Sequence, residues 1–291
     1  MDAQSLYELA NVYQHGQGVE ADTKRAIELY EEAIKLGNAF AMNNLAHIYQ
    51  NGQGVETNIP RAIELYEEAI KLGNASAMNN LGYAYQHGKG VETNIPRAIE
   101  LYEKAVKLGN KTAMNNLGYI YQYDNTIESN IPRAIELYTK SVELGNACAM
   151  NNLGYIYQYG KGVETNIPRA IELYEKAVKL GNKTAMNNLK ELCNQIINRE
   201  KNPLVKIKYY DKLIELKDTE TINKVFNNSD LSILYSVYKQ NKELETRLNN
   251  RIDKLQNLVE NLFYAPGMQG YYEAKESFEQ KIKTNTCDRL D

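Results

Sequence analysis

The segment Ala-Met-Asn-Asn-Leu begins at Ala41, Ala77, Ala113, Ala149 and Ala185, a spacing of 36 residues that never slips. Gly37, Gly73, Gly109, Gly145 and Gly181 keep the same period, and so do Tyr30, Tyr66, Tyr102, Tyr138, Tyr174 and Tyr210. A unit this short cannot bury its apolar face alone. It does so by stacking on its neighbours, so the period predicts a solenoid rather than a domain with one central core.

Each repeat reads as two helices. In the second repeat, helix A runs roughly from Ala39 to Gln50, with Met42, Leu45, Ala46 and Tyr49 at i, i+3, i+4 and i+7 on one stripe. Gly52 suits the left-handed position that closes it. Asn58 is the expected N-cap of helix B, and Pro60 sits in the first turn, where a missing N–H costs nothing. Helix B places Ala62, Ile63, Leu65, Tyr66, Ala69 and Ile70 on its apolar side and Arg61, Glu64, Glu67, Glu68 and Lys71 towards water, and Gly73 stops it.

Five such repeats fill residues 1–182. The fourth carries Tyr123-Asp124-Asn125-Thr126-Ile127 in place of Gly-x-Gly, which predicts a different backbone there. A degenerate sixth repeat or cap covers 183–218. Lys190 replaces the glycine of Gly82, Gly118 and Gly154, a position where helices A and B approach, so regular stacking is expected to end there.

Residues 219–291 form a C-terminal helical region with a long helix over 229–264 and a short one over 271–282 after Pro266-Gly267. In the long helix Leu234, Val237, Asn241, Leu244, Leu248, Arg251, Leu255, Leu258 and Leu262 alternate by three and four, a heptad seam. Asn241 at an a position suits a homodimeric coiled coil. Arg251 at d opposes it, and Ile252 and Val259 widen the apolar face as packing onto the last repeat would need. Homodimer and fold-back both stay open.

The formal net charge is −3, which supplies no field for nucleic acid or an acidic membrane surface. No apolar stretch is long enough to span a bilayer, and Met1-Asp2-Ala3-Gln4-Ser5 has neither a basic run nor an apolar core. A cytoplasmic protein without a signal peptide is expected. Cys148, Cys193 and Cys287 share no repeat position, so no structural disulfide is expected.

The pattern Ala-x-x-x-Leu-Gly-x-x-Tyr, Gly-x-Gly-Val, an Asn or Asp cap and Ala-x-x-x-Tyr-x-x-Ala with a closing Gly resembles the Sel1-like repeat, a relative of the tetratricopeptide repeat. In the third repeat it is carried by Ala77, Leu81, Gly82, Tyr85, Gly88, Gly90, Val91, Asn94, Ala98, Tyr102, Ala105 and Gly109. Leu65, Leu101, Leu137 and Leu173 stand where the family often has Trp. The resemblance implies an all-α, right-handed solenoid whose A helices line a concave surface, and a role as scaffold or adaptor for protein partners. The composition and the tail Gly270-Tyr271-Tyr272-Glu273-Ala274-Lys275 also look similar to repeat proteins of giant DNA viruses.

In such a solenoid the groove-facing positions lie two before, and two, five and six after, the repeat leucine. They hold Asn43, Asn79, Asn115 and Asn151; His47, Tyr83, Tyr119 and Tyr155; Gln50, Gln86, Gln122 and Gln158; and His87, Tyr123 and Tyr159. Asn and Gln ladders can meet a peptide backbone at regular intervals, and tyrosines are rigid, large contact residues. A partner segment held in this groove is the expected function. The second asparagine, as in Asn44 and Asn80, is expected to support the array from within. Duplication alone produces the same ladders, so their origin stays open.

An enzyme is not expected. His15, His47 and His87 lie in different repeats, no Cys-x-x-Cys occurs, and Gly-x-Gly follows a helix rather than a strand. No cofactor, metal or catalytic residue is assigned.

Overall fold

The computed structural model describes residues 1–263; the expected break at Pro266-Gly267 and the helix over 271–282 lie outside the described residues. Those residues form fourteen helices and no strand. The A helices are α1 (Ala3–His15), α3 (Ala39–Asn51), α5 (Ala75–His87), α7 (Lys111–Tyr123) and α9 (Ala147–Tyr159). The B helices are α2 (Thr23–Lys35), α4 (Ile59–Lys71), α6 (Ile95–Lys107), α8 (Ile131–Glu143) and α10 (Ile167–Lys179). Each A helix packs on its own B helix and each B helix on the next A helix, giving the right-handed α-solenoid.

The local reasons are the ones the sequence supplies. Asn58, Asn94, Asn130 and Asn166 cap the B helices by accepting from the N–H groups of Arg61, Arg97, Arg133 and Arg169. The A helices are capped by asparagines too, and these reach further: Asn74 accepts from Ala77 N and donates 3.1 Å to Ala39 O of the preceding repeat. That bond and the 5% exposure of Asn74 also explain why its Asn-x-Ser sequence is no exposed glycosylation acceptor. Gly52, Gly88 and Gly160 close their helices in the left-handed region. Asp124, their counterpart in the fourth repeat, is extended at φ −76°, as expected without the glycine.

The core is a column of tyrosines. Tyr30, Tyr66, Tyr102, Tyr138 and Tyr174 are fully buried, as are the leucines Leu65, Leu101, Leu137 and Leu173 at the family's Trp position. Gly118 lets the Tyr138 ring lie against helix α7: a Cβ there would sit 3.0 Å from Tyr138 Cε1. Ala10 and Ala46 occupy this position in the first two repeats, so one methyl group is accommodated and a longer side chain is not.

The chain divides into two compact units, Met1–Leu192 and a second beginning at Cys193, just past Lys190. The division falls inside α11 (Lys183–Arg199). The second unit contains α12 (Pro203–Glu215), α13 (Thr219–Phe226) and α14 (Ser229–Phe263). Cys193, Ile197, Ile207, Tyr210, Leu213, Val225 and Tyr235 are its buried apolar residues among those described. Asp211, aligned with the exposed Glu103 of the third repeat and the half-buried Glu175 of the fifth, is only 2% exposed here. It accepts from Lys239 and Lys242, each at 2.8 Å, and from the Tyr235 hydroxyl at 2.9 Å, which ties α14 to α12. Beyond that clamp Leu244, Leu248 and Leu255 of the heptad seam are 56–60% exposed, so this stretch of the seam has no cover among the described residues.

Candidate protein-binding groove

Repetition puts the asparagine pairs of successive A helices side by side. Asn44 donates to Asn11, Asn80 to Asn43, Asn116 to Asn79, Asn152 to Asn115 and Asn188 to Asn151, at 2.8–3.1 Å. Within each pair the first asparagine donates to the second, from Asn43 to Asn44 at 3.2 Å and likewise at Asn79, Asn115 and Asn151. The result is one chain of amides running in a single direction from Asn188 to Asn11. Aligned bonds of this kind polarise and strengthen one another.

This differs from the division expected above, in which the first asparagine served a ligand and the second the array. Both serve the array, because each amide has a donor and an acceptor and the 36-residue period brings the matching groups together. Asn79 and Asn151 are buried, and Asn43 and Asn115 half-buried.

The glutamine row is similarly committed. The hydroxyls of Tyr66, Tyr102, Tyr138 and Tyr174 donate to Gln50, Gln86, Gln122 and Gln158 Oε1 at 2.8–3.0 Å. Gln122 and Gln158 are buried at 8% exposure each. Burial pushes the Tyr30 hydroxyl up to about 12 and the other four in the same direction, so all five remain donors at neutral pH.

What remains open on the A-helix face is aromatic. Tyr83, Tyr119, Tyr123 and Tyr159 are exposed, with His47 and His87, and Tyr155 is half-buried. The side chains pair at i, i+4 along each helix: Tyr83 with His87 at 4.3 Å, Tyr119 with Tyr123 at 4.8 Å and Tyr155 with Tyr159 at 4.6 Å between centroids. Burial lowers the pKa of His47, and burial together with Lys89 lowers that of His87, so both imidazoles favour the neutral form.

Two residues here were not anticipated from the sequence. Lys89 and Lys161 occupy the variable place in Gly-x-Gly, which reads as loop punctuation. Lys89 Nζ lies 4.8 Å from the Tyr83 centroid. Lys161 Nζ lies 4.8 Å from Tyr155 and 5.7 Å from Tyr123, so it bridges two repeats. Lysine in the third and fifth loops was the available signal, since the first two repeats have Gln17 and Gln53. Among the described residues, no group of three His, Cys, Asp or Glu is placed to hold a metal, and no helix is long and apolar enough to cross a membrane.

The model of the Sel1 repeat matches residues 3–38, 39–74, 75–110, 111–146 and 149–182. A Sel1 repeat protein from Oxalobacter formigenes is similar in structure at a TM-score of 0.62 and 29% identity, covering 66% of this chain and 78% of that one. The protective antigen c5321 of uropathogenic Escherichia coli, described as having an SLR fold, reaches a TM-score of 0.62 at 25% identity over 82% of this chain and 54% of its own. The immunity protein Pa5087 of Pseudomonas aeruginosa, at 23% identity, a TM-score of 0.50 and coverage of 74% and 81%, shares the fold. Comparison with curated proteins found no match. Through its five matched repeats this chain belongs to the Sel1 repeat family, whose members are generally non-catalytic protein-interaction scaffolds.

Proposed function

We propose that the chain is a scaffold that captures a segment of a partner protein along the A-helix groove, on the aromatic row of repeats three to five. The observation that carries this reading is the contrast within one face. The amide rows are spent on the array, while Tyr83, Tyr119, Tyr123 and Tyr159 stay exposed beside them. A rigid fold that holds tyrosines open, paired and in register offers contact area at small entropic cost.

Changing Tyr83, Tyr119 and Tyr155 together to alanine is expected to abolish capture of the partners that the unchanged chain retains. Each tyrosine buried on binding contributes about 1–2 kcal/mol or more. Circular dichroism should be unchanged, because these rings are outside the buried tyrosine column. Retention of the same proteins by the triple variant refutes the reading.

A second reading is favoured by one observation, the uncovered seam of α14, where Leu244, Leu248, Ile252 and Leu255 are exposed on one side. A second copy of the same helix would cover it, making the protein a dimer with its groove repeated. Light scattering of the full chain should then give twice the monomer mass, and Leu244→Glu with Leu248→Glu should return it to the monomer. A monomer before substitution removes this reading and leaves the groove untouched.

A further inference from the structure

We infer that the segment taken by the groove is acidic, with carboxylates placed to meet Lys89 and Lys161. This rests on the groove reading above and adds the chemistry of the occupant. Every first-row asparagine oxygen from Asn43 to Asn151 already accepts from the next repeat. Every glutamine oxygen from Gln50 to Gln158 already accepts from a buried tyrosine. The amide oxygens of these two rows are committed to the array. Donors are left over: the ammonium groups of Lys89 and Lys161 make no hydrogen bond among the described residues. A face with surplus donors fits an occupant with surplus acceptors.

The charges agree. Lys104, Lys140 and Lys176 on the outer B-helix face are all paired with glutamates of their own helices. Lys89 and Lys161 have no carboxylate within ion-pair distance among the described residues, although Glu92 and Glu164 belong to the same loops. Their ammonium groups lie over tyrosine rings instead. A cation held there keeps its charge available on the open side of the ring. Asp124, an acid beside this face, accepts from the Thr126 backbone N–H at 2.8 Å. The chain as a whole is slightly acidic, so two unpaired cations on the aromatic face are a local feature rather than a spill-over of net charge.

Spacing narrows the occupant further. Lys89 and Lys161 are equivalent positions two repeats apart. At about 10 Å between neighbouring packed helices, that separation is roughly 20 Å. An extended chain advances about 3.3 Å per residue, so two acids about six residues apart would meet both lysines, with the tyrosine pair of the fourth repeat between them.

The test uses fluorescence polarisation of the full chain with a labelled synthetic peptide of about twelve residues. The probe is extended, carries two glutamates six apart and has apolar or aromatic residues between. Its twin has glutamine at both places. The expected result is at least about tenfold tighter binding of the acidic probe, with the advantage shrinking as salt rises. Lys89→Gln with Lys161→Gln should erase that preference. The substitution is benign to the fold because Gln17 and Gln53 stand at the same place in the first two repeats. Equal binding of probe and twin, or a preference that survives the lysine substitutions, overturns the inference. If the twin binds as tightly as the acidic probe and both lose affinity in the tyrosine triple variant, the groove reading stands while acidity falls. If neither peptide binds, both fall.

Discussion

Tyr138→Ala should lower the stability of the full chain by about 3–5 kcal/mol, the cost of emptying a fully buried aromatic site. The ring lies at the centre of the fourth repeat, against Gly118, and its hydroxyl donates 2.9 Å to Gln122. Gly118, against the ring, has no side chain to collapse into the hole. Tyr138→Phe keeps the ring and removes only the donor, so a smaller loss of about 1–3 kcal/mol is expected. Even that loss is more than a hydroxyl's usual share. The Nε2 group of Gln122 already lacks a partner, and the substitution would leave its buried oxygen without one too. Urea denaturation followed by circular dichroism measures both. Stability in an array is a sum of repeat and nearest-neighbour terms, so a weak fourth repeat should also separate the repeats on either side and broaden the transition. An alanine variant with an unchanged midpoint would show that the tyrosine column is not what holds the array.

Replacing Lys239 and Lys242 together by alanine should loosen α14 from α12 at a cost of about 3–5 kcal/mol, because it strands the buried Asp211 carboxylate. Asp211→Asn should cost clearly less. The two lysines are partly exposed and can return their charge to water, whereas the carboxylate has only Tyr235 left. Acid should imitate the effect. Burial alone would raise the Asp211 pKa, but the hydrogen bonds from Lys239, Lys242 and Tyr235 outweigh it and hold the carboxyl below its ordinary value. A depressed acid contributes stability that is fully present above the unfolded value of about 4 and is lost as pH falls through the lower folded one. Hydrogen exchange of the α14 amides around Tyr235–Lys242 should therefore accelerate below about pH 4, and the Asp211→Asn protein should lack that step. Equal acid sensitivity in the two proteins would assign the transition elsewhere.

Much of the fold is legible because each of its devices is local. Asn58 caps, Pro60 starts and Gly73 stops a helix by rules that act within one turn. Gly-x-Gly closes helix A, and its loss in the fourth repeat changes Asp124 as expected. The site was less legible. Counting from the repeat leucine brings Asn43 and Gln50 to the same face as Tyr83 and cannot say which of them have spent their hydrogen bonds. That depends on residues 16 and 37 positions away: Tyr66 for Gln50, and Asn80 for Asn43. Lys89 and Lys161 stand out in the loops, but which rings they cover was not legible, since the register of a loop side chain over a helix is not periodic within that loop.

The 36-residue period by itself determined the solenoid, the helix boundaries and the buried tyrosine column. Those follow from propensity, capping and the requirement that each short repeat bury its face on the next. Only the tertiary structure decided which polar rows are structural and which residues stay open. It also turned Asp211 from a solvent-facing position of the repeat into the buried clamp of α14. The difference is physical: an apolar stripe has one favourable destination, whereas an amide, a carboxylate or a lysine is indifferent until a particular neighbour arrives within hydrogen-bond distance.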